Sequence, residues 1–274
     1  MRTGCDGRAA VAVVLAGWLL VCGCRPARLR PELPAELPPA ERLLQILAAR
    51  REAVASVRGF AEIAYENGDE NLGSRHAVLA RRPDRFRLEV LSPFGALAVV
   101  ASDGRELVVY ARRENRIYRG PAGPGSLGVY AAVPLTVEDA VAILLGTPPE
   151  RPPAGAATVT GDETTRRIHL TVPLASGRQE VWFAPDTLYP VASETALPDG
   201  RTLHVDFGDY RPLGTGAFPY SIDVRAEPGE RAVRVRYGAP TLNAQIADAL
   251  FSFPPRVGVE ELTIEQYPAG GPQS

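Results

Sequence analysis

The residue types that most often perform chemistry in proteins are few in this sequence and are not grouped. The three cysteines (Cys5, Cys22 and Cys24) all lie near the N-terminus, and the three histidines are scattered without the spacing of metal ligands. The sequence contains no G-x-S-x-G motif, and the adjacent carboxylates at 162–163 and 260–261 are typical of a solvated surface. We therefore expect no catalytic residue, no metal site and no cofactor, and hence a protein that is not an enzyme.

Charge and glycine patterning argue against nucleic-acid and nucleotide ligands. The formal net charge is −2, so the chain has no overall basic character that would attract nucleic acid. A literal G-x-G-x-x-G occurs at Gly123, Gly125 and Gly128, but it follows meander-like strands rather than opening a helix in a βαβ unit. We expect neither a nucleotide nor a nucleic-acid partner.

The one cysteine with an evident role is Cys24. Residues 1–23 place Arg2 and Arg8 before an apolar run that is too short to span a bilayer, which is typical of a secretory signal peptide. The run ends in VCGC, which resembles the lipobox of bacterial lipoproteins and implies that Cys24 is lipidated and becomes the mature N-terminus. The alternative is an ordinary signal peptide that leaves a free thiol at Cys24. Because Arg25 and not Asp follows the cysteine, an outer-membrane anchor is favoured.

Composition divides the rest of the chain into a tether, a body and a tail. Residues 24–38 hold the lipidated cysteine and a charged, Pro-rich stretch that predicts an extended tether. Residues 39–265 are long and apolar enough for a single domain, and 266–274 are predicted to be a flexible tail. Because the body has no further cysteine, it can form no disulfide.

The body reads as mainly β with few helices. Helical spacing of apolar residues predicts helices at 39–57 and 136–145, the second with Thr136 as N-cap. Alternating apolar residues separated by Gly, Pro and Asp turns predict eleven to thirteen short strands with no βαβ rhythm. One antiparallel sheet of this length must curl, close or split. The segment 251–259 is predicted to be an apolar edge segment.

A hairpin at 85–104 presents an aromatic residue in its turn. Phe86 and Leu88 alternate with charged residues, the turn SPFG at 92–95 carries Phe94, and 96–101 is apolar on both faces. A large apolar side chain in an exposed turn indicates a binding surface. The alternative is that Phe94 folds back onto the sheet.

Taken in order, several segments resemble the LolB-like outer-membrane lipoproteins and, more distantly, the LolA periplasmic carriers. In the first half the matching segments are 57–60 (VRGF), 85–88 (RFRL), 92–95 (SPFG) and the pair VPL at 133–135 with ILLGTP at 143–148. In the second half WFAPD at 182–186, LYP at 188–190, DG at 199–200 and the closing FSFPP with GV are similar to LolA. The resemblance covers most of residues 40–260.

This resemblance implies an unclosed antiparallel β-barrel of about 11 strands, with a helical lid over an apolar cavity. It implies a monomer that takes the acyl chains of lipoproteins or lipids, receives them from a LolA-like periplasmic carrier and inserts them in the outer membrane, with Phe94 as a membrane-insertion tip. From the patterning, the expected lining residues are Phe86, Leu88, Leu97, Val99, Ile168, Leu170, Leu203 and Val205. The expected lid residues are Leu43, Leu47, Val54, Val141, Leu144 and Leu145.

Two alternatives stay open at this point. The alternating side chains could fill a closed core, because alternation alone does not distinguish a core from a cavity. The protein could also be an envelope lipoprotein that binds a lipid or a protein as a sensor or scaffold without passing it on.

Overall fold

The computed structural model describes residues 32–67, 70–123, 127–128, 133, 135–197, 199–229 and 231–268. The predicted signal peptide, Cys24, the tether up to residue 31, residues 124–126 of the glycine-rich loop and the tail beyond residue 268 lie outside the described residues. Within the described part, no helix is long and apolar enough to cross a membrane.

The described residues from Glu32 onwards form one unclosed sheet of fifteen strands, which confirms the predicted mainly β class and open barrel. The sheet order is β15-β6-β5-β4-β3-β2-β1-β13-β12-β11-β10-β9-β8-β7, with β14 paired to β1. Neighbours pair antiparallel except β15, which runs parallel to β6. The strands are β1 Ser56–Asn67, β2 Glu70–Arg81, β3 Arg85–Ser92, β4 Gly95–Asp103, β5 Glu106–Ala111, β6 Arg116–Pro121, β7 Thr158–Asp162, β8 Arg167–Pro173, β9 Arg178–Phe183, β10 Pro190–Ala196, β11 Thr202–Leu213, β12 Gly216–Glu227, β13 Arg231–Tyr237, β14 Thr241–Leu242 and β15 Glu260–Thr263.

In the part of the chain that the structure describes, the two predicted α-helices accompany the sheet. Helix α1 is Ala40–Ala53, with Glu41 in its first turn and Arg50 and Arg51 in its last, an arrangement that complements the helix dipole. Helix α2 is Val137–Leu144, and the hydroxyl oxygen of Thr136 accepts a hydrogen bond from the backbone N–H of Asp139 at 3.1 Å.

Helix α2 packs on one face of the central sheet, here called the inner face. Every second residue of each strand points to this face, so cross-strand pairs such as Leu88 and Val100 share it. The main hydrophobic core forms between these side chains and α2. Its strand members include Val57, Ile63, Val78, Phe86, Val109, Tyr118, Leu203, Val205, Ile222, Val224 and Val235.

Helix α1 covers a second core at the β7–β9 end of the sheet. Leu43 is fully buried there against Ile168, Leu170, Val181 and Phe183. The sequence placed Leu33 and Leu37 in the extended tether, whereas the structure packs both against this cluster.

The C-terminal segment crosses the opposite face, here called the outer face. Phe251 and Phe253 are buried, and Arg119 donates a hydrogen bond to the Phe253 carbonyl at 3.0 Å. The chain then adds β15 to the sheet edge and returns Ile264 and Tyr267 to the inner core. Residues 251–259 were predicted to be an edge segment, and the structure corrects this: they lie across the sheet, and the edge strand follows them.

Candidate functional site

An apolar cavity of about 70 Å³ lies between α2 and the inner face. Pockets that enclose small molecules usually measure about 300–1,000 Å³, so this space is too small for such a ligand with α2 in its present position. Its lining is aliphatic and aromatic: Ile63, Tyr65, Phe86, Leu88, Val100, Leu127, Leu135, Ala140, Ile143, Leu144, Val224, Val233 and Val235.

A larger cleft of about 290 Å³ continues along the same strands to the rim of the sheet. Tyr65 lines both spaces. On β3 the cavity is lined by Leu88 and the cleft by Val90, the next inner-face residue. On β4 the corresponding residues are Val100 and Ala98. The inner face therefore carries a largely apolar path of two spaces that share Tyr65, and the lining of the rim part also includes the charged Arg112, Arg113 and Glu114. The cleft is lined by Tyr65, Leu72, Gly73, Ser74, Val90, Leu97, Ala98, Val109, Ala111, Arg112, Arg113, Glu114 and Tyr267.

The turn between β3 and β4 stands beside this cleft and exposes 86% of Phe94. The Ser92 hydroxyl donates to the Gly95 carbonyl at 2.7 Å and accepts from the Phe94 N–H at 3.2 Å. Arg112 donates to the Phe94 carbonyl at 2.7 Å, and Gly95 takes the left-handed conformation that the turn requires (φ 103°). The backbone is thus fixed on both sides of Phe94 and its ring is presented to the outside.

The predicted lining residues separate into five places. Phe86 and Leu88 line the cavity under α2, and Leu97 lines the rim cleft. Leu203 and Val205 belong to the inner core but do not border the cavity.

Three predicted lining residues are elsewhere, and these predictions are corrected. Val99 pairs with Tyr110 on the outer face and packs against Phe253, because its neighbour Val100 takes the inner-face position opposite Leu88. Ile168 and Leu170 lie beneath α1 in the second core, since the inner face is divided between two helices.

The predicted lid residues are divided in the same way. Val141, Leu144 and Leu145 of the α2 region pack in the inner core, as does Val54 after α1. Leu43 and Leu47 pack on the β7–β9 end. Sequence patterning did not identify Tyr65, Ile143, Val233 and Val235 as cavity residues. The three strand residues carry a signal, because alternate residues of a strand share a face: Tyr65 alternates with Ile63, and Val233 with Val235.

Three polar contacts hold α2 over the cavity. The Tyr237 hydroxyl, whose pKa burial raises, donates to the Leu144 carbonyl at 2.9 Å. Arg82 donates to the Val54 carbonyl at 3.0 Å and to the Thr147 hydroxyl at 2.7 Å, so one side chain joins the ends of both helices to the sheet. Burial, with a contribution from Arg51, lowers the pKa of Arg82 to about 10, and Arg82 remains cationic at neutral pH.

The third contact is a buried ion pair. Asp139, only 2% exposed, accepts two hydrogen bonds from Arg151 at 2.7 and 2.8 Å, and this partnership raises the pKa of Arg151. Removing one member of a buried pair leaves an uncompensated charge. The pair therefore fixes the first turn of α2 against the chain that follows it.

Arg151→Ala is expected to lower the free energy of unfolding by about 3 kcal/mol, because it leaves the Asp139 carboxylate buried and unpaired. Urea denaturation monitored by circular dichroism measures the change. The matched control is Arg51→Ala, which removes the more exposed pair with Glu150 and should cost below about 1 kcal/mol. Equal losses in both variants would contradict a special role of Asp139.

His76 is a fully buried titratable group on the inner face. Its Nδ1 donates to the Ser74 carbonyl at 2.9 Å, its Nε2 has no partner among the described residues, and its ring lies 6.4 Å from that of Tyr65. Burial lowers the pKa of His76 below its ordinary value of 6.5, against the opposing effect of the Ser74 carbonyl. The folded protein therefore holds this imidazole neutral.

The lowered pKa of His76 predicts that the free energy of unfolding decreases as the pH falls below 6.5, because the unfolded chain then binds a proton that the folded chain excludes. Above pH 6.5 the contribution is fully present. Urea denaturation at a series of pH values from 8 to 5 measures the slope, and His76→Asn should flatten it. Identical slopes for the two proteins would show that His76 does not titrate on unfolding.

No protein-family model matches the sequence, and no curated protein matches it. Solved structures do match. A DUF1329-family protein from Desulfovibrio piger aligns with a TM-score of 0.57 at 12% identity, covering 79% of this chain and 98% of that one. A LolA-superfamily protein from Nitrosomonas europaea gives a TM-score of 0.53 at 12% identity, covering 79% and 99%. The fold is LolA-like.

A third similar structure is a Vibrio parahaemolyticus domain named for outer-membrane lipoprotein sorting, with a TM-score of 0.56 at 13% identity over 77% of this chain and 97% of that one. At these identities the likeness concerns the fold. None of the three structures is named as an enzyme. Within the described residues, no three His, Cys, Asp or Glu side chains are grouped to bind a metal ion.

Proposed function

We propose that this protein binds the acyl chains of other lipoproteins or of lipids on its inner face and helps to insert them in the outer membrane. In this proposal it is an outer-membrane lipoprotein whose body faces the periplasm, anchored through lipidated Cys24. It receives cargo from a LolA-like periplasmic carrier and acts as a monomer without catalysis.

The observation that carries the proposal is the apolar path from beneath α2 to the rim beside Phe94. The part under α2 is lined by hydrocarbon and aromatic side chains, and the part at the rim lies next to the turn with the exposed ring of Phe94. A path of this kind suits an alkyl chain, because each methylene that leaves water contributes about 0.8 kcal/mol. A similar fold in a domain named for outer-membrane lipoprotein sorting supports the same use.

Binding requires α2 to move, since the space beneath it is about 70 Å³. The contacts of Arg82, Arg151 and Tyr237 would have to break or shift for the helix to lift, and they would close it again after release. A movable lid would allow cargo to be released, because several acyl chains buried under a fixed helix would dissociate too slowly.

A second function is favoured by the same small volume. If the lid does not open, the protein is a lipoprotein of the envelope that acts as a scaffold or sensor through its surfaces. Exposed Phe94 would then be a contact for a protein or membrane and not a delivery device.

A transfer assay separates the two functions. The full chain with Cys24→Ala, which prevents lipidation, is mixed with a lipidated lipoprotein held on a soluble carrier, and liposomes of outer-membrane phospholipids are then added. Uptake from the carrier followed by appearance of cargo in the liposomes supports the proposal. Failure to take up any acylated cargo contradicts it and favours the scaffold or sensor.

A further inference from the structure

A cleft of about 560 Å³ lies away from the inner-face cavity, between α1, the chain that follows α2 and the turn joining β11 to β12. Its volume is in the range of pockets that hold small molecules. It is lined by Arg42, Gln45, Ile46, Ala49, Arg50, Ala53, Val54, Leu145, Gly146, Thr147, Leu213, Gly214, Thr215, Gly216, Ala217, Phe218, Leu242 and Asn243.

Two arginines, Arg42 and Arg50, line this cleft without acidic partners among the described residues. The lining contains no Asp or Glu, and neither Arg42 nor Arg50 forms an ion pair with any described residue. Elsewhere on the described chain most arginines are neutralised by a carboxylate, as Arg234 is by Glu66 and Asp223. The cleft therefore has an uncompensated positive charge.

Arg50 is held in position by its surroundings. Its guanidinium lies 4.8 Å from the ring centroid of Tyr189 and 5.3 Å from that of Tyr210, and it donates to the Ala217 carbonyl at 3.1 Å. Its Nε is buried and has no hydrogen-bond partner among the described residues. Stacking of this kind reduces the entropy that an arginine loses when it binds an anion.

Positive charge extends beyond the lining. Arg82 reaches the cleft through its hydrogen bond to Thr147, and Arg51 is close enough to contribute to lowering the pKa of Arg82. Glu150, which pairs with Arg51, is the carboxylate that opposes them. Three of these four arginines, Arg42, Arg50 and Arg82, have no carboxylate within ion-pair distance in the described chain.

Much of the rest of the lining is apolar, and Gln45, Thr147, Thr215 and Asn243 supply neutral polar groups. Ile46 and Val54 come from the α1 side, Leu145 follows α2, and Phe218 and Leu242 come from the strands. A ligand that fills the cleft must therefore offer an anionic group to the arginines and a hydrocarbon surface to the remainder. These are the two parts of an anionic lipid.

We propose that this cleft binds the phosphate headgroup and the adjoining chain of a single anionic lipid. The planar fork of an arginine matches phosphate oxygens in a bidentate manner, and two arginines without competing carboxylates suit a phosphate monoester. This inference rests on the proposed function in one respect, which is that the protein binds lipids or other acylated molecules. It adds a headgroup site that is separate from the acyl path under α2.

The test compares two probes with the same chain, lauroyl lysophosphatidic acid and monolauroylglycerol, below their micelle concentrations. Binding to the full chain with Cys24→Ala is measured by isothermal titration calorimetry. We expect the phosphate to strengthen binding by about tenfold or more, and Arg42→Gln with Arg50→Gln to remove that difference. Arg105→Gln, an exposed arginine far from the lining, is the matched control.

Arg50 packs against two tyrosines, so its substitution can disturb folding. We therefore also test the single variant Arg42→Glu, because Arg42 is exposed. Thermal unfolding checks that each variant is folded. Equal binding of both probes, unaffected by Arg42→Glu, overturns the headgroup site and leaves acyl binding standing. Binding of neither probe overturns both proposals. The headgroup site would also be overturned if inorganic phosphate competed with an affinity equal to that of the lipid, since the site would then bind a free anion.

Discussion

Phe94→Glu is expected to slow delivery of acylated cargo to liposomes by about tenfold or more while leaving uptake from the carrier unchanged. The side chain is 86% exposed on a turn that Ser92 and Arg112 brace, so substitution removes no core contact. Burying a phenylalanine ring in an apolar phase contributes about 1.5–3 kcal/mol, which corresponds to roughly tenfold to hundredfold in rate or affinity at the membrane step. A carboxylate at this position adds a desolvation cost.

Phe94→Leu is the matched control, because it keeps an apolar side chain of similar reach and should retain most of the delivery. Fluorescence of labelled cargo in floated liposomes measures delivery, and co-purification with the protein measures uptake. If Phe94→Glu and the original protein deliver at the same rate, the exposed ring is not an insertion tip, and the scaffold or sensor function becomes the better one.

Val233→Glu is expected to weaken binding of an acylated ligand by about a hundredfold or more. Val233 lies on β13, is half-buried and lines the cavity under α2. An ionised carboxylate in this lining must be desolvated when an alkyl chain enters, at an effective cost of several kcal/mol. In the absence of ligand the same side chain can turn toward water, so we expect a smaller effect on folding.

Titration with a fluorescent fatty acid measures the affinity, and urea denaturation of the same samples measures stability. Val233→Leu keeps the lining apolar and should bind within about tenfold of the original protein. An unchanged affinity in Val233→Glu would show that the ligand does not bind under α2. The cleft lined by Arg42 and Arg50 would then be the next binding site to test.

Much of the fold was predictable because short-range rules determine it. The segments 106–111 and 178–183, which the sequence predicts to be strands, form β5 and β9. Thr136 caps α2, as predicted. The two-residue strand β14 and the edge strand β15 were missed. Both depend on contacts with β1 and β6, which lie far away in the sequence, and neither has a run long enough to show alternation.

The candidate site was predictable only in part, for a physical reason that Val99 and Val100 illustrate. Segment 96–101 is apolar on both faces, so alternation could not decide which side chain faces α2. The outer face of this strand is apolar because the C-terminal segment covers it, with Phe253 packed against Val99. Likewise, nothing in the pattern of Ile168 and Leu170 indicated that α1 and not α2 would cover them.

The central claim is that an acyl chain enters the space between α2 and the inner face. The most direct measurement is photo-crosslinking with a palmitoyl probe that carries a diazirine near its methyl end, followed by peptide mass spectrometry. The account predicts adducts on inner-face residues of β1 and β13 and on α2, among them Ile63, Val233 and Ile143. Adducts confined to the outer face or to the Phe94 turn would contradict it, because the space under α2 would then be a filled core.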